Sequence, residues 1–451
     1  MLRSSFSKYK TELLSLTHLA WPILITQLAQ MGLSVADVMM SGQIDAQQVT
    51  AVALGSGFWL PIFLIIIGIS IGSTALIGNL YGAKQHSKIA PLFIQSLYLP
   101  ILLIPLTFIL LASFRPILAF FETPAADLEI ASAYLNALKF GMPALIIIQF
   151  MRAYCDGLGQ TKVIMYLSLF MALINIPLNY VFIFGLFGLP QFGGVGCGYA
   201  SSIAANITLV AFIVYLKYQH VEFKFIKPDF DKIFKIFKIG TPIGMSLLIE
   251  VSTFSFISIF IAKLGNHIVA SHQIAFNIIS VTFMIPLSLS LALTIRVSHH
   301  LGAKDYKQAK QTSILMLCIS LMIGLSLMCM YFLIAPNLMD MYINEIEIIK
   351  LGSSILLIAG AFQIFDCLQV TTTGALRAYQ DTSWPMGIAF VAFWVFALPL
   401  GYYLTYYSAL DLGVRGFWIG LTLGLMLAWF GLIWRLRLAF NITSLLSAQS
   451  N

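Results

Sequence analysis

Three acidic residues lie inside long apolar stretches, and each raises a question of charge balance. Glu250 falls almost at the midpoint of residues 239–262, IGTPIGMSLLIEVSTFSFISIFIA, which run between Lys238 and Lys263. Asp37 sits in the outer third of the first apolar stretch and Asp366 within the tenth; no other acid among eighteen lies inside one. A carboxylate at mid-membrane costs about 2.5–3.5 kcal/mol even on the lenient insertion scale, so it needs a partner, a proton or a water-filled cavity. No lysine or arginine stands at comparable depth in the sequence, which leaves a salt bridge without its cation. A cavity, a proton or a bound cation must then serve. The plainer alternative for Glu250 is a protonated, hydrogen-bonded glutamate with a structural role.

Amides and rings accompany these acids. Asn175 and Asn179 are spaced i,i+4 around Pro177, which puts both amides on one helix face and frees a backbone carbonyl in the turn before the proline. Two amide oxygens, a freed carbonyl and the Asp37 carboxylate suit a sodium ion; ordinary interhelical hydrogen bonding by asparagine is the alternative. In the second half of the chain, Gln273, Asn277 and Gln363 are candidates to line a cavity with Glu250 and Asp366. Phe254, Phe276 and Phe362 can offer ring faces to an organic cation.

Other motifs lead nowhere. His300 and Asp305 spell the HxxxxD of membrane acyltransferases, but they lie at the edge of a basic loop whose repeat counterpart holds Leu80 and Gln85. The glycines of GGVGCG (193–198) follow no strand and open an apolar helix, so they do not read as a phosphate cradle. The five cysteines form no CxxC or zinc spacing, and no histidines are spaced for a metal.

The elements that must hold these residues are membrane spans. With 59% hydrophobic and 10% charged residues and a mean hydropathy of +0.92, the chain is far from the quarter-charged composition of soluble domains. Apolar windows fall at about 14–40, 49–78, 90–113, 130–151, 162–184, 194–216, 236–262, 268–296, 311–334, 351–373, 384–407 and 413–435. The expectation is twelve transmembrane helices and an all-α fold. Lysines and arginines fall on alternate sides, twenty of 25 in segments that would then face the cytoplasm, Arg3, Lys8 and Lys10 among them. Both termini are accordingly expected inside. The charge of +7 speaks to orientation, since no basic stripe interleaved with aromatics suggests nucleic acid.

The chain also repeats. A shift of 220 lays Pro22 on Pro242 and Gly82-Ala83-Lys84 on Gly302-Ala303-Lys304; a shift of 222 lays Ile176-Pro177-Leu178 on Leu398-Pro399-Leu400. Six spans per half give a parallel repeat, which places a substrate path between the halves. The domains expected are an N-terminal six-helix lobe (1–217), a cytoplasmic linker (218–238) and a C-terminal six-helix lobe (239–451). In the linker, DFDKIFKIFKIG puts Lys232, Lys235 and Lys238 on one stripe with Asp229 or Asp231 as N-cap, an interfacial helix touching anionic lipid.

These residues resemble the multidrug and toxic compound extrusion (MATE) family, in its NorM-like bacterial branch. The carriers are NIPLNYVFIFG (175–185), GGVGCGYA (193–200), ASHQIAFN (270–277), IRVSHHLGA (295–303), FQIFD (362–366) and GALRAYQDT (374–382). The resemblance implies a V-shaped pair of six-helix bundles in the bacterial inner membrane, exporting small organic cations in exchange for Na⁺ or H⁺. It implies no enzymatic activity and no cofactor beyond the coupling ion; the chain is expected to act as a monomer among membrane lipids, without nucleic acid. By position, Glu250 and Asp366 fall on the second-lobe cation site, and Asp37, Asn175 and Asn179 on the first-lobe site. Phe362 stands where some relatives have tyrosine, and Asn277 where animal relatives have glutamate. The competing reading is a lipid-linked oligosaccharide flippase, which should carry arginine or lysine inside its spans for a pyrophosphate; the sequence places none there.

Overall fold

The computed structural model describes residues 2–120, 123–221, 223–224 and 226–449, without the side chains of 2–9, 46 and 444–449. Arg3 and Lys8, counted above with the basic N-terminus, are among those side chains. The described residues are helical throughout, joined by short turns, with no strand. In membrane-spanning order the helices are α1 Lys10–Gly42, α2 Gln47–Gly82, α3 His86–Phe120, α5 Thr161–Phe184, α6 Val195–Tyr218, α7 Phe230–Leu264, α8 Asn266–Gly302, α9 Tyr306–Asp340, α10 Ile346–Ala378, α11 Ser383–Tyr406 and α12 Arg415–Thr443. Between α3 and α5 lies a pair, Ala125–Leu138 and Met142–Gly157, bent by 53°. We take that pair together as α4, because its counterpart under the repeat, α10, is one unbroken helix 221 residues further on.

The repeat is legible in the turns as well as in the spans. Lys84 and Lys304, 220 positions apart, both take left-handed backbone (φ 57° and 58°) where α2 and α8 end. Gly159 and Gln380 do the same after α4 and α10, and Gly193 and Gly413 before α6 and α12. Sequence signals repeat where the backbone needs them to, and three paired turns at offsets of 220–221 mark two copies of one six-span plan. Lysine and glutamine at φ near 60° are uncommon, so the turn geometry persists even where glycine is absent.

By packing, the chain forms two compact units. One comprises Met1–Leu24, Gly82–Lys84 and Met245–Asn451; the other comprises Ile25–Tyr81 and Gln85–Gly244. The boundaries fall inside α1 and α7, two residues beyond Pro22 and Pro242, not in the linker. The linker itself differs from expectation. Asp229 is the N-cap, accepting from Lys232 N at 3.2 Å and pairing with Lys232 Nζ at 2.8 Å, and its hydrogen bond to the Lys232 side chain holds its carboxyl below the ordinary range. From there the helix runs unbroken from Phe230 to Ile261. The lysine stripe is therefore the head of α7 and not a separate surface helix, and Ile236 and Ile239 along its edge are buried.

Within the Ile25–Gly244 unit, that head of α7 packs on α2 through facing small-residue motifs. A Cβ at Gly72 would stand 2.9 Å from Gly240 Cα, one at Gly244 would stand 2.7 Å from Ile65 Cα, and one at Gly68 would strike the Gly244 backbone. Only glycine lets two helix backbones approach so closely, and the gain is van der Waals contact that lipid cannot supply.

The other unit is tied to the start of α1 by a buried polar cluster. Glu12, with a side chain 5% exposed, accepts from Arg296 Nε and Nη2 at 2.8 Å each, and pairs with His300 Nε2 at 3.0 Å. Thr312 Oγ1 donates to it at 2.9 Å. Leu16, Leu19 and Ile23, one helical turn apart, are buried on the same unit with Leu293, Ile295 and Val297 nearby in its core. His300 is thus spent on Glu12, while Asp305 caps α9 by accepting from Gln308 N, so the HxxxxD pair forms no dyad. Removing one member of a buried ion pair costs about 3–5 kcal/mol. Glu12→Ala is expected to lower the melting stability of the detergent-solubilised protein by about 3 kcal/mol. A melting curve equal to the parent's would show that the cluster adds nothing.

Candidate functional site

The unit spanning Ile25–Gly244 brings together all three residues expected of the first site. Asn179 Nδ2 donates to Asp37 Oδ1 at 2.6 Å and to Asn175 Oδ1 at 2.9 Å. Asn175 Nδ2 in turn donates to Ser201 Oγ at 3.1 Å. Helical spacing explains the asparagine pair: residues four apart on α5 lie one above the other on one face, here turned toward α1 and α6. Both amides are fully buried, and Asn179 Oδ1 has no hydrogen-bond partner among the described residues. An unmet buried acceptor costs about 1–3 kcal/mol, so an oxygen-seeking cation or a water has a place there. Ser201 and Cys197, whose thiol donates to the Asp37 backbone carbonyl at 3.7 Å, join this site unforeseen. Both belong to the small-residue opening of α6, where the glycines alone drew attention.

The unit holding residues 245–451 brings Glu250 of α7 and Asp366 of α10 within electrostatic reach of each other. It also adds a buried cation that the apolar windows left outside the spans. Arg377, in the last turn of α10, is 5% exposed and its charge acts on Glu250. The sequence windows placed Arg377 in a loop because α10 is five residues longer at that end than its apolar core. Its Nε has no hydrogen-bond partner among the described residues. Gln363, three residues before Asp366, is wholly buried, and neither its amide nitrogen nor its oxygen is partnered.

The three expected phenylalanines do cluster. Phe254 lies 4.9 Å from Phe276 and 6.4 Å from Phe362, ring centre to ring centre. Trp418 of α12 completes the group, 5.6 Å from Phe362 and 6.4 Å from Phe254, and its indole N–H donates to His272 Nδ1 at 3.3 Å. Neither Trp418 nor His272 stood out in the sequence, since a lone aromatic in an apolar span carries no periodic signal. The two remaining cavity candidates are engaged elsewhere. Gln273 Nε2 donates to Ser258 Oγ at 3.5 Å, and Asn277 Oδ1 accepts from Tyr342 at 3.0 Å.

Comparison with known proteins bears on both sites. The MatE family profile matches residues 22–181 and 242–403, two stretches that begin 220 positions apart and end 222 apart. The chain belongs to the MatE family. Its relatives include the "Multidrug resistance protein MdtK" of Proteus mirabilis, 36% identical over 93% of each chain. The "Probable multidrug resistance protein NorM" of Acinetobacter baylyi is 34% identical over 95% of this chain and 96% of its own length. Among solved structures, a Vibrio cholerae MATE transporter, VcmN, in its bent form superposes with a TM-score of 0.88 at 18% identity, covering 97% of this chain and 99% of that one. An outward-facing multidrug resistance MATE transporter of the MOP superfamily gives 0.87 at 20%, covering 95% and 96%. At such identities these structures speak to the fold alone.

A MATE chain is a transporter and not an enzyme, so the two sites are weighed as places of reversible binding rather than of catalysis. Arg377 acts on Glu250 alone, so of the two carboxylates Asp366 has no fixed counter-ion among the described residues. Inside a low-dielectric bundle that surplus binds a proton or a small cation far more strongly than it would in water. The ring faces beside it favour a lipophilic cation. In this MATE chain Phe362 supplies a ring and no hydroxyl, so Gln363 is the neighbouring group left with oxygen to offer.

Proposed function

We propose that the chain exports lipophilic organic cations from a bacterial cell in exchange for Na⁺ or H⁺, by alternating access across the inner membrane, with both termini cytoplasmic. The observation that carries this reading is the surplus negative charge of Glu250 and Asp366 over Arg377, next to the unpartnered Gln363 and the Phe254, Phe276, Phe362 and Trp418 rings. A drug cation and a coupling cation then compete for one charge, which is the minimal requirement for exchange. The small-molecule partner is a delocalised cation, the coupling ion is the sole cofactor, and the working unit is a monomer in lipid. A lipid-linked oligosaccharide flippase is the weaker reading, because the relatives above carry multidrug resistance names. Arg377, buried in the last turn of α10, does not revive the flippase, since its charge already acts on Glu250.

The test is ethidium movement in inverted vesicles, driven first by a Na⁺ gradient and then by a pH gradient. Dye accumulation under one gradient and not the other identifies the ion; accumulation under neither overturns the exchange reading. Asp37 plays the other part. It keeps company with amides rather than with aromatic rings, so Asp37→Asn is expected to slow gradient-driven transport at least tenfold while equilibrium dye binding stays within about threefold of the parent, a tenfold change being ~1.4 kcal/mol. Loss of dye affinity as large as that of Glu250→Gln would place Asp37 in the drug site instead.

A further inference from the structure

At the basic end of the 245–451 unit, α9 and α12 enclose a groove of about 650 Å³ whose lining includes Lys310, Trp429, Phe430, Trp434, Arg437 and Phe440. Its polar and apolar parts are segregated. Lys310, in the first two turns of α9, and Arg437, near the end of α12, supply two exposed cations, and no acid lines the groove. Neither cation is in an ion pair among the described residues; Lys310 Nζ stands 5.6 Å over the Phe440 ring. Arg435, two residues away, shows what a satisfied cation on this helix looks like: it is paired with Asp381 and lies 5.0 Å over Trp384. Toward the middle of the span the groove is apolar and open. Phe430 is 51% and Trp434 56% exposed, one helical turn apart on the face that continues to Arg437.

We infer that this groove holds an anionic phospholipid, its phosphate between Lys310 and Arg437 and an acyl chain along the aromatic face of α12. Charge complementarity selects the head group: two unpaired cations and no acid repel nothing negative and gain from one phosphate. Geometry selects a lipid over a soluble anion, because the cations end an apolar groove rather than line a polar one. Trp and Phe at this position have the character of interfacial aromatics, whose rings sit at the head-group level, and basic pockets between spans attract acidic head groups. The site stands independently of the transport reading, since it shares no residue with the acids or rings described above.

The measurement is native mass spectrometry of the full chain in detergent, with equimolar phosphatidylglycerol and phosphatidylcholine added. The parent is expected to retain phosphatidylglycerol several-fold over phosphatidylcholine, and Lys310→Gln/Arg437→Gln to lose that preference. Lys304→Gln/Lys307→Gln removes the same charge from the same end without touching the groove, and is expected to keep the preference. Equal loss in both double variants would mean general attraction to positive charge and would overturn the site. Unchanged retention in Lys310→Gln/Arg437→Gln would overturn it too. Displacement of the lipid by millimolar sodium phosphate would reassign the groove to a soluble anion, and dimer formation in place of lipid retention would reassign it to a second copy.

Discussion

Asp366→Asn or Glu250→Gln, made singly, is expected to reduce ion-coupled efflux of ethidium at least about a hundredfold, with the protein still inserted and monodisperse. Two unit charges 4 Å apart interact by about 4 kcal/mol at an effective dielectric of about 20. Losing even two-thirds of that lowers cation occupancy about a hundredfold, at ~1.4 kcal/mol per tenfold. The loss falls on transport because the two acids act on each other while one arginine acts on Glu250. With either acid neutralised, Arg377 cancels the other, and no surplus charge remains to hold an ion. Dye efflux from energised vesicles carrying each variant is the readout, and a parental rate in either would remove that residue from the site.

The second large effect concerns Arg377. Buried at 5% exposure with its charge acting on Glu250, it is expected to cost about 3 kcal/mol of stability when replaced by methionine, since Glu250 loses a compensating charge. The distinguishing measurement is a double-mutant cycle. Glu250→Gln should be destabilising alone, yet in the Arg377→Met background it should recover at least about 1 kcal/mol, because it relieves an uncompensated carboxylate. Strict additivity of the two substitutions would mean that they do not interact. Arg377 would then belong to the packing of the α10 terminus.

Much of this protein was determined by the chain order alone. Twelve apolar stretches, a repeat at 220–222 positions and three acids inside spans are one-dimensional facts, and membrane physics converts them almost directly into helices and candidate sites. In lipid only helices and closed barrels satisfy the backbone, and continuous apolar runs of this length belong to helices, so the architecture could be read without knowing a single contact. The asparagine pair was equally legible, because i,i+4 neighbours on a helix share a face whatever surrounds them.

Contacts between distant segments needed the tertiary structure. That the charge of Arg377 acts on Glu250, 127 positions earlier, depends on how far α10 extends past its apolar core. Hydropathy sees the apolar core and misses the helical overhang, so it leaves a buried arginine outside the span. The same reason hid the continuity of α7, the clamp of Glu12 on Arg296 and His300, and the entry of Trp418 and His272 into the aromatic cluster. Each joins residues with no periodic relation in sequence. Their meeting is set by packing: the glycine faces on α2 and α7 that let backbones touch in one unit, and the interlocked core of α8, α10 and α12 in the other.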